Sequence, residues 1–77
     1  MVKVFTTPAC SRCFVLKQFL EEHKIDFKEI DVSQDKKALE ELIEKTGQME
    51  VPVVEINGEM VVGFDKNKIV KLLKIKE

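Results

Sequence analysis

Apolar and polar positions change period several times along this chain, and each change marks a new element. Val2-Lys3-Val4-Phe5-Thr6 alternates and is rich in β-branched residues, which predicts a short strand closed by Pro8. From Ser11 to about Lys24, Phe14-Val15-Leu16 and Phe19-Leu20 recur at helical spacing with Lys17, Gln18, Glu21 and Glu22 between them. That pattern predicts an amphipathic helix starting at or just after Cys10. Alternation returns over Ile25-Asp26-Phe27-Lys28-Glu29-Ile30-Asp31-Val32 and predicts a second strand. Strand, helix and strand in that order imply a crossover between parallel strands.

Ser33 or Asp35 is the expected cap of a second helix with Ala38, Leu39, Leu42 and Ile43 on one face, ending near Thr46-Gly47. Two further runs, Val51-Pro52-Val53-Val54-Glu55-Ile56 and Glu59-Met60-Val61-Val62, flank Asn57-Gly58. Asn-Gly supplies the positive φ angles of a type I′ turn, so these runs predict an antiparallel hairpin. Asp65 or Asn67 would cap a last helix whose face is Ile69, Val70, Leu72 and Leu73, with Ile75 beyond them. The fold class expected is α/β, in the order β-α-β-α-β-β-α, with a four-stranded mixed sheet flanked by helices.

Composition narrows what such a domain can do. Seventy-seven residues hold one core and no second, so a single domain spanning 1–77 is expected. A formal net charge of −1 supplies no broad field for nucleic acid or an anionic membrane. There is no charged-then-apolar leader at Met1-Val2-Lys3 and no apolar run near the roughly 20 residues that span a bilayer. A cytoplasmic monomer is expected, with proteins or small molecules as partners.

The chemistry concentrates in Thr6-Thr7-Pro8-Ala9-Cys10-Ser11-Arg12-Cys13, which holds both cysteines and the only arginine. A zinc site needs three or four ligands, and the one histidine, His23, stands ten residues past Cys13, roughly 15 Å along a helix. No metal is therefore expected, and His23 reads as an exposed helix-end residue. A disulfide across a two-residue gap removes little entropy from the unfolded chain, which argues against a structural staple. Thiol–disulfide exchange remains. At the N-terminus of a helix, unpaired N–H groups and the dipole favour an anion, so Cys10 is the expected attacking thiolate, with Arg12 adding a cation beside it. Cys13, one turn later and shielded, is the expected resolving thiol. The cysteine pair is itself the redox group, and no further cofactor is expected.

With these residues in place the chain resembles the thioredoxin superfamily, and within it the glutaredoxin-like redoxins, over nearly its whole length. The resemblance rests on Phe5-Thr6-Thr7-Pro8-Ala9-Cys10-Ser11-Arg12-Cys13, on Val51-Pro52 and on Gly63-Phe64-Asp65. It implies a thioredoxin-like fold and a cis-proline at Pro52 facing the cysteines. It also implies that the Val51 backbone pairs with an extended substrate, and that Gly63 lets the chain pass close to the site. Arg12, Val51, Pro52, Gly63, Phe64 and Asp65 are thereby expected around the docked substrate, with Phe64 and Met49 as apolar contacts or, equally, core.

The departures bear on the reductant. Glutathione-dependent members usually carry a basic residue where this chain has Thr7, another basic or amide residue in the region Gln48-Met49-Glu50, and paired glycines where this chain has Val62-Gly63-Phe64-Asp65. Glutathione has two carboxylates, and the cations that would bond them are mostly missing. The chain looks more like the small glutaredoxin-shaped electron donors of ribonucleotide reductase, which implies such disulfide-containing proteins as substrates and thioredoxin reductase as the reductant. Two alternatives stay open: a glutathione-dependent glutaredoxin, in which Asp65 and Gln48 hold the tripeptide, and a module in which Cys10 bridges two chains around an iron–sulfur cluster.

Overall fold

The structure is a computed structural model that describes residues 2–75. The domain expected over 1–77 reaches at its ends to Met1, Lys76 and Glu77, which lie outside the described residues. Seven elements follow in the order β1 (Val2–Thr6), α1 (Ser11–Glu22), β2 (Lys28–Asp31), α2 (Lys36–Thr46), β3 (Val53–Ile56), β4 (Glu59–Val62) and α3 (Lys66–Leu73). The sheet order is β2-β1-β3-β4, with β1 parallel to β2 and antiparallel to β3, and β3 antiparallel to β4. This is the mixed four-stranded α/β, thioredoxin-like architecture that the periodicity and the resemblance predict.

Strand alternation divides the core into two layers. Val2, Val4, Val54, Ile56 and Val61 point to one face, where Leu16, Phe19 and Leu20 of α1 and Ile69 of α3 cover them. Phe5, Val53 and Val32 point to the other, under Ala38 and Leu42 of α2. The sheet is thus sandwiched between helices, and β1 and β3, its central strands, are almost wholly buried. Among the described residues no helix is long and apolar enough to cross a membrane.

Element ends follow their local chemistry. Asp35, not Ser33, caps α2, its carboxylate accepting the Ala38 N–H at 3.0 Å. Ser33 instead donates to Asp31 in the preceding turn. Asp65, not Asn67, caps α3 by accepting the Lys68 N–H. Gly47 closes α2 at φ 75°, and Asn57-Gly58 takes the two positive φ values of a type I′ turn.

Two expectations are corrected. The first helix stops at Glu22 rather than near Lys24, because Ile25 N–H bonds the Leu20 carbonyl at 2.9 Å and Lys24 N–H bonds Glu21 at 3.0 Å. That Schellman closure places Lys24 at positive φ and turns Ile25 and Phe27 into the core, so β2 begins only at Lys28. The third strand begins at Val53, not Val51, since Pro52 has no N–H to give the ladder. Within the apolar pattern of α1, Phe14 and Val15 are not core: Phe14 is 65% exposed and Val15 48%. The buried stripe of α1 is Cys13, Leu16, Phe19 and Leu20, and Phe14 and Val15 rotate away from it. Ile43 likewise lies at the exposed margin of α2.

Candidate functional site

The site forms where β1 runs out. Thr7-Pro8-Ala9-Cys10 makes a turn closed by the Cys10 N–H on the Thr7 carbonyl at 3.3 Å, with proline at the position that its fixed φ favours. Cys10 then has extended backbone and is the N-cap of α1, its Sγ accepting the Cys13 N–H at 3.1 Å. Sulfur here takes the place usually held by a serine or aspartate oxygen, so one orphan N–H of the helix end is directed at the sulfur. Cys10 is half-buried and Cys13 is 2% exposed.

Sheet register brings the second part of the site to the first. Phe5 pairs with Val53, so continuing by one residue sets Thr6 opposite Pro52. Val51–Pro52 is a cis peptide bond, and the Pro52 carbonyl accepts the Gly63 N–H at 2.8 Å. The cysteine turn, Val51-Pro52 and Gly63 therefore lie together at one end of the sheet's strands. Gly63 has φ 77°, and a Cβ there would meet nothing within 4 Å. Its requirement is the left-handed backbone rather than the close passage of chain expected from the resemblance.

The remaining expected residues are more dispersed. Arg12 stands exposed on the first turn of α1, and Asp65 is engaged as the cap of α3. Phe64 is half-buried and meets the Phe19 ring at 5.6 Å, which makes it in part core. Met49, at 64% exposure, projects from the loop ahead of Val51. His23 is half-buried rather than exposed, its ring 4.5 Å from Phe19. Among the described residues no three His, Cys, Asp or Glu side chains gather as a metal site would require.

Sequence reading missed Lys17. It counted as one more polar residue of α1, yet it lies one turn after Cys13 and its Nζ bonds Glu29 of β2 at 2.7 Å. The four-residue spacing was the available signal.

Burial pushes the Cys13 thiol up to about 12 from 9.0, helped by its hydrogen bond with Cys10 and opposed by the Thr7 backbone and by Lys17. A thiol raised in the folded state contributes stability that is complete below about pH 9, its unfolded value, and drains away as pH climbs toward the folded value. The reduced protein should lose up to about 1.4 kcal/mol of stability for each pH unit above about 9. The disulfide form has no such proton and should lack this slope. Denaturant melts of both forms at about pH 8 and about pH 10 would show it; parallel losses would mean Cys13 is not the cause.

Comparison with known proteins bears on the family and the fold. The family model described as glutaredoxin matches residues 2–61. A glutaredoxin-like 8.6 kDa protein of the rubredoxin operon of Clostridium pasteurianum is 39% identical, covering 96% of this chain and 99% of its own. The glutaredoxin-like protein NrdH of Lactococcus lactis is 32% identical over 94% of this chain and 99% of its own. Among solved structures, a mutant of the thioredoxin-like protein BC3987 superposes with a TM-score of 0.92 at 33% identity, covering 97% of this chain and 96% of the other.

Proposed function

Given that this chain belongs to the glutaredoxin family, we propose that it reduces protein disulfides through the Cys10/Cys13 dithiol and is recycled in the manner of a thioredoxin rather than by glutathione. Family and fold make it a thioredoxin-fold redox protein. The observation that carries the finer reading is the Cys10 sulfur at the N-terminus of α1, accepting the Cys13 N–H, with Cys13 buried behind it.

The exchange runs in two steps. Cys10 Sγ, as thiolate, attacks one sulfur of the substrate disulfide; a Cys10–substrate bond forms, and the other substrate sulfur leaves as a thiolate that takes a proton from water. Cys13 then loses its proton to solvent and attacks Cys10 Sγ, which forms the Cys10–Cys13 disulfide and frees the second substrate thiol. Two electrons pass from the dithiol to the substrate, and the electron balance closes on the two sulfurs. An extended substrate segment would lie along Val51, where the ladder has not yet begun, and against Gly63 and Phe64. A protein such as ribonucleotide reductase, in the reducing cytosol, is the kind of partner this reading names.

The surroundings favour a flavoprotein reductase over glutathione. Thr7 offers no cation, and the loop before Val51 carries the exposed carboxylate of Glu50 beside Met49. A tripeptide with two carboxylates would meet repulsion there. The test starts from oxidised protein and follows the appearance of two thiols, once with NADPH and thioredoxin reductase and once with glutathione and its reductase. Fast reduction by the first system alone is expected. Fast reduction by glutathione would make the protein a working glutaredoxin, and inertness in both would refute the dithiol reading.

A further inference from the structure

Three elements meet at one ion pair, whose lysine stands one helical turn after the buried cysteine. Thr6, the last residue of β1, is 2% exposed and donates its hydroxyl to Glu29 Oε2 at 3.0 Å. Glu29 of β2, paired in register with Val4, lies on the same face of the sheet as Thr6 and Val4, the face that α1 covers. The same carboxylate oxygen receives Lys17 Nζ at 2.7 Å. Lys17 is four residues after Cys13, so the two side chains lie on one face of α1 one turn apart. A lysine on an ordinary helix surface samples several rotamers; this one is tethered toward the sheet, on the cysteine side of the helix.

We propose that Lys17, tethered by Glu29 and Thr6, is a positioning residue for the second step of exchange, its charge favouring the thiolate that Cys13 must become. This rests on the dithiol reading above. It assigns a task to a residue outside the Cys-x-x-Cys motif, and it divides the two cations near the pair: Arg12 faces solvent, whereas Lys17 acts on the resolving thiol.

The need for such a charge follows from the mechanism. Cys13 is buried, and burial is the largest influence that keeps its proton on. Once Cys10 is tied up in the mixed disulfide, its own opposing charge is gone, and the influences still favouring the Cys13 anion are the Thr7 backbone and Lys17. The charged groups that bear on Lys17 in turn are Glu29 from β2 and Glu21 on α1, and the bond to Glu29 holds it firmly protonated. In the step itself the Cys13 proton goes to solvent base, the Cys13–Cys10 bond forms, the Cys10–substrate bond breaks, and the departing thiolate is protonated by water.

The size of the effect follows from two opposed terms. A partly exposed charge at this range changes the thiol equilibrium by about two- to fivefold. The more basic thiolate left without it is a somewhat better nucleophile, with a Brønsted slope of about 0.4–0.5. The net loss of rate at neutral pH is then about 1.5- to 2.5-fold.

A chromogenic aromatic disulfide reads the two steps separately in one experiment: the first equivalent of coloured thiolate reports attack by Cys10, and the second, first-order in protein, reports resolution by Cys13. Lys17→Met should leave the first phase unchanged, slow the second by that factor and move its pH profile up by about half a unit. Lys17→Arg should restore both rate and profile, which a merely structural role would not predict. A second phase with unaltered rate and pH profile in Lys17→Met would overturn the proposal. Absence of any second phase in the unmodified protein would instead refute the dithiol reading on which it rests.

Discussion

On the dithiol reading, replacing Cys13 with serine should turn the protein from a turnover reductant into a trap. Cys10 keeps its place at the head of α1 and still attacks a disulfide, but a serine hydroxyl is far too weakly acidic to displace the bond that results. The mixed disulfide then accumulates at one equivalent and is visible as a covalent adduct by mass spectrometry, while steady-state reduction falls by several orders of magnitude. Cys10→Ser should abolish exchange without forming an adduct. The serine oxygen can take over from sulfur in accepting the residue-13 N–H, so this variant should keep its fold, whereas Cys10→Ala should lose the cap at a cost of about 1 kcal/mol. Undiminished turnover of Cys13→Ser with glutathione would mean that the protein works through one thiol and that Cys13 is dispensable.

Leu20→Ala should produce the largest loss of stability that leaves the chemistry alone. Leu20 is wholly buried beneath α1 against the layer that holds Val4, Val54 and Ile69. Removing its side chain costs about 2–5 kcal/mol. A domain of this length has about 4–11 kcal/mol in total, so Tm should fall by roughly 10 °C or more. Leu20 lies two helical turns from Cys13, and exchange rates below the new Tm should match those of the unmodified protein. Phe14→Ala is the control, because that ring is mostly in solvent and its loss should change stability by less than about 0.5 kcal/mol. Equal destabilisation by the two would reverse the assignment of the faces of α1; the calorimetric comparison decides it.

Much of the fold was legible because the signals that carry it are local. The Asn57-Gly58 hairpin and Gly47 depend on backbone chemistry within a few residues and lie where the sequence places them, and each aspartate cap is one of the two candidates that the sequence offers. The boundaries that shifted were decided by packing. Ile25-Asp26-Phe27 alternates as a strand should, but Ile25 and Phe27 gain more from the core beside Leu20 than from pairing beyond Lys28. Phe14 and Val15 are as apolar as Leu16 and Phe19, and composition cannot tell which two point outward; the rotation of the helix on the sheet does.

The candidate site divides the same way. Cys10 and Cys13 could be named as candidates because a Cys-x-x-Cys between strand and helix carries its chemistry in its spacing, whereas Val51, Pro52 and Gly63 were named through the resemblance to the glutaredoxin-like redoxins. That Thr6 stands opposite Pro52, and that Gly63 bonds the proline carbonyl, are facts of register, which depends on which strands pair. The Thr6–Glu29–Lys17 cluster joins residues up to 23 apart in the chain and leaves no periodic trace. By itself, then, the sequence determined the order of elements, the turns and the candidate cysteine pair, because each is settled by neighbours along the chain. Only the tertiary structure decided which apolar residues face solvent and which lysine is tied to Glu29 and Thr6, because burial and electrostatic reach are set by neighbours in space.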